Sequence, residues 1–391
     1  MQLRNLIFLK DIFILACTAF GGPQVHVSMF LKRLVKQRRY LTEEEFLEIN
    51  ALCSVLPGPS STQTIIAIGY KQGGPLLALM TLLIWALPAS LIITLLVLSF
   101  TIFSSVDLSF TKFITPMAVG FIIAGAYSLG KAVINDTLSV LLFITAAVTG
   151  VVFSSPWVYP LIIVAGVIAA NVFIKGYNFE PLIGVKVKWR YIISFFGILL
   201  IAAIIGRISQ HRSVLLFENI YRFGSIVYGG GNVLVPLMYE QFVDFKHYMN
   251  AQEFAIGYGM VQALPGPIFS LGTFASGMSM KPFGLWWQLI GCVSGTVAIF
   301  LPGVLLIFFF YPIWQQVKKY PIFKKSVKGS NAVSTGLILS AAFSLAKPLL
   351  LQGNMPLQMA LVVTVTFLLV AFTRIPSPFI VLTTILLGFV F

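Results

Sequence analysis

Charged side chains are scarce in this chain, and long apolar runs separate them. Only 10% of the 391 residues are charged and 58% are apolar, whereas a soluble domain carries about 25% charged residues. A water-soluble fold of this length needs more polar surface than these side chains supply. The apolar residues suffice for roughly ten spans at ~20 residues per bilayer crossing. The sequence therefore predicts an all-α polytopic membrane protein with about 10–13 membrane segments.

The remaining composition excludes several function classes. The net charge is +14, but the basic residues lie in short loops between apolar runs, which indicates membrane topology and no nucleic-acid partner. Cys17, Cys53 and Cys292 are far apart, and the three histidines show no metal-binding spacing, so neither a disulfide framework nor a metal site is predicted. We expect no cofactor and no enzymatic activity. Lys10 and Asp11 interrupt the first apolar run, which favours a retained first helix over a cleaved signal peptide.

Two pairs of motifs recur at one offset. The sequence FGGP at 20–23 is echoed by YGGG at 228–231, and LPGP at 56–59 recurs at 264–267, in both cases 208 residues later. The alignment between these motifs requires no gap. Such self-similarity indicates internal duplication. We therefore predict two homologous transporter repeats, residues 1–180 and 181–391.

Apolar periodicity gives an approximate map of the helices. Each repeat contains a discontinuous segment, 43–71 in the first and 250–281 in the second, broken at its LPGP. An amphipathic basic stretch at 23–39 follows the first helix. The other predicted helices lie near 5–20, 76–103, 112–134, 138–154, 158–175, 191–207, 212–228, 283–312, 330–348, 355–372 and 376–391.

Loop charges bear on the orientation of the repeats. Residues 32–39 carry five basic side chains, whereas the matching stretch 240–247 carries Glu240, Asp244 and Lys246. Conversely, 318–328 holds five lysines, and its counterpart 104–112 is not basic. Under the positive-inside rule, equivalent loops then lie on opposite sides of the membrane, which is the pattern of inverted repeats. Whether 43–71 and 250–281 cross the membrane or re-enter stays open at this stage.

The LPGP breaks have a definite physical consequence. Pro57 and Pro59 lack N–H donors, and Gly58 permits backbone geometry that no helix uses. A half-helix that starts after Pro59 would point unpaired N–H groups toward a cavity, which is a ready anion site. The polar residues that follow add hydroxyl and amide donors: Ser60, Ser61, Thr62 and Gln63. The alternative is a pair of simple packing kinks.

The second copy keeps the break at Pro265, Gly266 and Pro267. Ile268 and Phe269 follow it, and Ser270 is the first side chain there with a donor. The sequence therefore predicts a substrate site in which the two repeats are not equivalent.

The glycine motifs form a second duplicated break. Glycine runs let backbones approach closely or expose N–H groups to a ligand, and a side-chain amide follows each run. The candidate substrate-binding residues here are Gly21, Gly22, Gln24, Gly229, Gly230 and Asn232. Helix packing through small residues is the alternative interpretation.

Ionisable residues within apolar sequence are costly and are therefore functional candidates. Glu45 and Glu253 occupy matching positions and could carry protons or pair with a cation; the alternative is an interfacial, solvated carboxylate. Lys131 and Lys347 end matching predicted helices and could hold an anion or snorkel to the interface. His26 follows the first glycine break and could titrate near neutrality, or simply be hydrogen-bonded.

The combined motifs resemble a known family. FGGPQ with its following basic stretch, TEEEFLEINALCSVLPGPSSTQ and GYKQGG are similar to the N-terminal signature of the chromate ion transporter family. YGGGNVLVPL and QALPGP resemble the C-terminal copy in its long, two-domain members. The resemblance implies a secondary transporter in the cytoplasmic membrane that exports chromate and confers chromate resistance.

Several alternatives remain open on the sequence alone. The same site would suit sulfate or another oxyanion, moved by uptake or exchange, and a passive channel is a further reading. A membrane enzyme acting on lipid phosphates is disfavoured, because such an enzyme needs clustered acid, base or metal-binding residues. Coupling to protons and assembly as a homodimer also stay open.

Overall fold

The computed structural model describes residues 3–20, 22–102, 111–153, 158–174, 187–227, 231–314, 321–351, 357–373 and 375–390. Within these ranges the regular structure is helical throughout, and no strand occurs. The prediction of an all-α fold is therefore confirmed.

The described residues of the first repeat form seven α-helices. They are α1 (Leu3–Thr18), α2 (Gly22–Phe30), α3 (Glu43–Val55), α4 (Ser60–Ile102), α5 (Ile114–Val133), α6 (Thr137–Val152) and α7 (Val158–Phe173). A π-helix, Leu31–Gln37, continues α2.

The second repeat contains nine further α-helices among its described residues. They are α8 (Arg190–Ser209), α9 (Arg212–Ile226), α10 (Gly231–Tyr239), α11 (Ala251–Ala263), α12 (Leu271–Ser279), α13 (Leu285–Phe310), α14 (Pro321–Leu351), α15 (Leu357–Phe372) and α16 (Ser377–Val390). A π-helix, Glu240–Phe245, continues α10, and a 3₁₀ turn, Ile268–Ser270, precedes α12.

In the part of the chain that the structure describes, five helical stretches are long and apolar enough to cross a membrane. They are Ser60–Ile102, Ile114–Lys131, Arg190–Ser209, Leu285–Ile313 and Lys328–Lys347. Shorter apolar helices accompany them at Thr137–Val152, Leu161–Phe173, Leu357–Phe372 and Ser377–Val390. Helix α8 exposes Phe196, Leu200, Ile204 and Ile208 at intervals of four residues, which is a continuous apolar stripe of the kind that faces lipid.

The chain divides into two compact units, and each unit draws on both repeats. Unit 1 comprises Met1–Leu98, Lys175–Gly231 and Pro265–Lys324. Unit 2 comprises Ser99–Ile174, Asn232–Leu264 and Lys325–Phe391. Division by packing thus differs from division by sequence repetition, and the repeat boundaries at residues 180 and 181 stay a prediction.

The first hairpin of unit 1 pairs α1 with α2 and its π-helix. Asp11, fully buried in the middle of α1, accepts hydrogen bonds from Arg33 (Nη2–Oδ1 2.7 Å) and from the Tyr40 hydroxyl (2.8 Å). Arg38 reaches the same carboxylate (Nε–Oδ2 2.8 Å). A buried charge is tolerated only when it is paired and hydrogen-bonded, as it is here. The basic stretch therefore folds back along α1, with the turn near Ala19.

The second hairpin of unit 1 pairs α3 with the first part of α4. Thr42 and Glu45 form a capping box that starts α3, and Glu45 forms an ion pair with Lys71 at the far end of the returning helix. The Gln72 amide also donates to the carbonyl of Tyr40 (2.7 Å). The two open ends of the segment 43–72 thus lie side by side, with the LPGP at the tip. The segment turns back at its break and does not run straight through.

A second reversal divides α4 into α4a (60–72) and α4b (75–102). Gly74 has φ 72° and ψ −164°, a conformation that L side chains rarely adopt, and Pro75 begins the next helix. Gly69 lets α4a and α4b approach closely, because a Cβ there would lie 2.4 Å from the Thr81 hydroxyl. Elsewhere in unit 1, α13 packs against α8, α9 and α12.

In unit 2 the helices also meet through small residues. A Cβ on Gly329 of α14 would lie 2.2 Å from the carbonyl oxygen of Gly166 in α7, so the two backbones are nearly in contact. Helix α5 packs against α11, α15 and α16. Close approach at small residues is the usual basis of helix association where the solvent is lipid.

The duplication is visible in the backbone. Gly58 and Gly266 have φ of 117° and 114°. Arg39 and His247, also 208 residues apart, have φ of 53° and 50°. The capping box at Thr42 recurs at Asn250, and the two π-helices occupy matching positions.

The helix map needs two corrections. Helix α10 and its π-helix, 231–245, were missing from the predicted map, because Pro236 and the acidic residues interrupt the apolar pattern there. The helix predicted at 330–348 extends over Pro321–Leu351, so Lys347 does not end it; lysines in its first turns hid the start of the helix.

Candidate substrate-binding site

Breaks in the two repeats meet inside unit 1. The N–H of Gly58 donates to the carbonyl of Val227 (2.6 Å), and the N–H of Gly266 donates to the carbonyl of Ala19 (2.9 Å). Under the 208-residue offset, Gly58 corresponds to Gly266 and Ala19 to Val227. The LPGP tip of each repeat is therefore hydrogen-bonded to the glycine break of the other, which is a local two-fold relation.

A small buried cavity lies where these tips converge. Its lining comes from His26 of α2, from Pro59, Ser60, Ser61 and Thr62, from Gly231 at the start of α10, and from Pro267, Ile268 and Phe269. The space amounts to about 10 Å³, which suffices for about one water molecule. The first turns of several helices thus face one enclosed point.

The start of α4 supplies the polar wall of the cavity. The first intrahelical bond of α4 joins the N–H of Gln63 to the carbonyl of Pro59 (2.8 Å), so the N–H groups of Ser60, Ser61 and Thr62 precede the regular ladder. Thr62 accepts a hydrogen bond from the Trp85 indole (3.1 Å), which leaves its own hydroxyl proton available to donate. Unpaired N–H groups and hydroxyls at the positive end of a helix dipole are suited to an anion.

Gln63 was predicted as a substrate-binding residue, but its side chain points away from the cavity. Its side chain is fully buried and donates to the carbonyl of Pro57 (2.8 Å), while its Oε1 has no hydrogen-bond partner. It does not line the cavity. Gln63 therefore braces the turn of the LPGP tip, and the sequence alone could not separate bracing from ligand contact.

His26 connects the two hairpins of the first repeat. Its Nε2 lies 3.2 Å from the carbonyl of Ala19, and its Nδ1 lies 3.2 Å from the hydroxyl of Ser61. Because a carbonyl can only accept, Nε2 carries the proton, and Nδ1 accepts from Ser61. The ring also packs edge-on to Trp85, with centroids 5.2 Å apart. His26 is 1% exposed.

The second repeat contributes an apolar wall. Ile268, the counterpart of Ser60, packs against both glycine breaks: a Cβ on Gly22 would lie 3.6 Å from its Cδ1, and one on Gly231 would lie 2.7 Å from its Cβ. Ser270 donates its hydroxyl proton to the carbonyl of Pro267 (2.8 Å) and has none left for a ligand. The described side-chain donors that line the cavity therefore belong to the first repeat, and the asymmetry of the substrate site stays a prediction.

Part of the predicted glycine site cannot be placed. Gly21, Gly229 and Gly230 lie outside the described residues. The side chains of Gln24 and Asn232 likewise fall outside the description, although their backbones are helical. Gly22 is described and has φ 81°, so this position requires glycine at the start of α2.

The predicted charged candidates lie away from the cavity lining. Glu45 accepts from the N–H of Thr42 (2.9 Å), and Glu253 accepts from the N–H of Asn250 (3.0 Å), in matching capping boxes. The ion pair with Lys71 and the bond from Thr42 lower the pKa of Glu45. Lys131 and Lys347 are exposed. These contacts account for both glutamates as helix caps, and a coupling role for the four residues stays a prediction.

Sequence reasoning missed Trp85, Ala19 and Val227. Trp85 stands in the predominantly apolar helix α4b, and Ala19 and Val227 act through backbone carbonyls, so the residue types alone do not indicate these roles. The larger cavity of about 510 Å³ in unit 2 has an almost wholly apolar lining from α5, α6 and α14, which offers an oxyanion almost no donors. Among the described residues, no group of His, Cys, Asp and Glu could hold a metal ion.

Comparison with known proteins identifies the family of the chain. A family model described as "Chromate transporter" matches residues 6–171 and 214–389. The chain is 25% identical over 387 residues to a chromate transport protein of Cupriavidus metallidurans, covering 96% of this chain and 90% of that protein. It is 26% identical to a probable chromate transport protein of Synechococcus elongatus, covering 85% and 82%.

An uncharacterized transporter of Methanocaldococcus jannaschii is 24% identical and covers all of this chain and 96% of its own length. No solved structure matches the chain. The family match spans both repeats and includes both LPGP tips and both glycine breaks. With its apolar helices, the chain is a multi-pass membrane protein and belongs to the chromate transporter family.

Proposed function

We propose that this chain exports chromate across the cytoplasmic membrane by alternating access, and so confers chromate resistance. The convergence of the tips on one enclosed cavity carries this proposal. Ser60, Ser61 and Thr62 line it; their N–H groups precede the helical ladder, and their hydroxyls can donate, that of Ser61 once its bond to His26 is given up. Such donors suit a tetrahedral dianion, whose oxygens only accept hydrogen bonds.

The cavity favours an anion without a cationic side chain. The described residues that line it include no lysine, arginine, aspartate or glutamate. The partial positive charge at the start of α4 is roughly half an elementary charge, and it acts more strongly where water is excluded. The site thus attracts a dianion while keeping the weak binding that release requires.

The small size of the cavity supports a transport mechanism in which the protein changes conformation. Room for about one water does not admit an anion with four oxygens. Entry therefore requires the tips to separate, and Ile268, wedged between Gly22 and Gly231, is the side chain that must withdraw. Hairpins that meet tip to tip also fit inverted repeats, because a 13-residue helix such as α3 spans only about 20 Å of a ~30 Å hydrocarbon core.

Membrane voltage supplies a driving force for export. Each charge is worth ~2.3 kcal/mol per 100 mV, so an inside-negative potential favours outward movement of a dianion by ~4.6 kcal/mol. Export of chromate therefore requires neither ATP nor a coupled ion gradient as its energy source. The residues of the site need only bind the anion, exclude water from it and release it.

Transport by purified protein in liposomes tests the proposal. We expect voltage-dependent chromate flux, and a 10–100-fold loss of affinity in Ser61→Ala, because a hydrogen bond to a charged group contributes about 1.5–3 kcal/mol. Ser54→Ala is the matched control, since this exposed serine of α3 bonds only the carbonyl of Asn50. Absence of chromate flux in the wild type would contradict the proposal.

Competition identifies the anion. Sulfate has the same shape and charge as chromate, so excess sulfate should slow chromate flux. Faster flux of labelled sulfate than of chromate would reassign the substrate to sulfate while retaining the site. Equal flux in Ser61→Ala and wild type would remove the cavity from the transport path.

A further inference from the structure

The hydrogen bonds of His26 make the cavity sensitive to one proton. In the neutral ring, Nε2–H donates to Ala19 and Nδ1 accepts from the hydroxyl of Ser61. The proton of Ser61 is then directed at the ring and is unavailable to a ligand. Both side chains line the cavity, so the state of the ring determines which donors a ligand meets.

We propose that His26 takes up one proton when the oxyanion binds, and that this turns the Ser61 hydroxyl toward the anion. This inference rests on the proposed function, because it takes the cavity as the oxyanion site. A proton from solution forms the new Nδ1–H bond, and Nδ1–H then donates to the Ser61 oxygen. The Ser61 proton becomes free to donate to the anion. Release of the anion returns the proton to solution.

The surroundings of His26 couple the proton to the anion. The contacts described for the ring come from Ala19 of the α1 turn, Phe30 of α2, and Ser61 and Trp85 of α4, and none of them carries a charge. A buried imidazolium without a counter-ion is costly. A dianion in the same cavity supplies the missing charge, so each ligand strengthens the binding of the other.

Several charges on the same elements form ion pairs with one another. Asp11 of α1 holds Arg33 and Arg38 of the π-helix segment, and Lys71 of α4 holds Glu45 of α3. The counterpart of His26 under the 208-residue offset is Leu234, which is fully buried and cannot titrate. His26 is the one titratable side chain among the described residues that line the cavity, so we expect one proton per anion.

Calorimetric titration of the detergent-solubilised full chain with chromate tests this inference. Measurement between about pH 7 and pH 9, where chromate is a dianion, in buffers of different ionisation enthalpy gives the number of protons taken up. We expect close to one proton in the wild type, and affinity that falls by up to ~10-fold per pH unit. His26→Gln keeps a donor toward Ala19, and its chromate affinity should be weaker and independent of pH.

Further variants separate the effect of the positive charge on His26 from the effect of the Ser61 hydroxyl. Ser61→Ala should bind more weakly but still take up the proton, because the imidazolium forms in either case. His211→Gln and His247→Gln are the controls, since neither histidine lines the cavity, and both should retain the wild-type pH dependence. A thermal melt of each variant checks folding.

Two outcomes overturn the inference in distinguishable ways. Proton uptake that persists in a folded His26→Gln protein would assign the proton to another group and leave the oxyanion site intact. Failure of the wild type to bind chromate would remove the site itself, and the proposed function with it.

Discussion

Replacement of Gly58 by alanine tests whether the LPGP tip depends on its backbone geometry. Gly58 has φ 117°, and a non-glycine residue in this region costs about 1–3 kcal/mol. The added Cβ would also lie 2.9 Å from Nε2 of Gln63, which must move and give up its bond to Pro57. That bond contributes about 0.5–1.5 kcal/mol. The expected destabilisation is therefore about 2–4 kcal/mol.

Gly266→Ala provides a symmetry-matched comparison. Its φ is 114°, so the backbone strain is the same, but its Cβ meets only the Cβ of Ala89, at 3.1 Å. We therefore expect Gly266→Ala to cost about 1 kcal/mol less than Gly58→Ala, since no hydrogen bond is displaced. Gly197→Ala, in α8 with open space around its Cβ, should stabilise the protein by up to about 1 kcal/mol.

Thermal unfolding in detergent, followed by tryptophan fluorescence, measures the three variants together. The Gly58→Ala midpoint should fall by roughly 5–10 °C, at a few degrees per kcal/mol, and chromate flux should fall with it. A Gly58→Ala midpoint equal to that of Gly197→Ala would refute the reasoning, because it would mean that the tip accepts an L residue without strain.

Three further predictions follow from the charges of the chain. If the repeats are inverted, Lys36→Cys and Lys246→Cys in a cysteine-free background should react with an impermeant thiol reagent from opposite sides of the membrane; labelling of both from one side would contradict inversion. The ion pair with Lys328 and the cap on Ser139 hold the pKa of Asp136 at about 2, below its usual 3.8. The ionised carboxylate should therefore stabilise the folded protein fully above pH 4 and progressively less toward pH 2. Thermal melts of Asp136→Asn should lack this contribution at every pH. Burial and the neighbouring Asp244 raise the pKa of Glu240 to about 7 from 4.5. The thermal midpoint of the protein should therefore fall as the pH rises from about 5 to 8 and Glu240 ionises. Glu240→Gln should make this fall shallower, and an unchanged fall would exclude Glu240 as its cause.

The helix breaks could be predicted from the sequence, but the contacts between the breaks of the two repeats could not. Proline and glycine at 57–59 end a helix by local chemistry alone, so both breaks and the start of α4 could be located. The hydrogen bonds of Gly58 to Val227 and of Gly266 to Ala19 join residues far apart in sequence through backbone atoms. No side chain records such a contact.

The roles of individual residues in the site were likewise predictable only in part. The hydroxyl donors of Ser61 and Thr62 were predictable from their position just after the break. Gln63 resembled them in the sequence, yet it points back to Pro57, because a side-chain rotamer decides between the two directions. Glu253 stands alone among apolar residues, and its role in ion coupling stays a prediction. The cap that it forms on Asn250 was not predicted, because it depends on where a helix begins.

The crossed bonds between the tips also bear on how such a chain arose and how it can be divided. A first repeat synthesised alone would leave the Gly58 N–H without its partner, the Val227 carbonyl, within the bilayer, where each unsatisfied group costs several kcal/mol. A half-length ancestor would therefore have had to associate with a second copy before it was stable. By the same reasoning, residues 1–180 and 181–391 produced as separate polypeptides in one cell should find each other and restore export, while either fragment alone should be degraded.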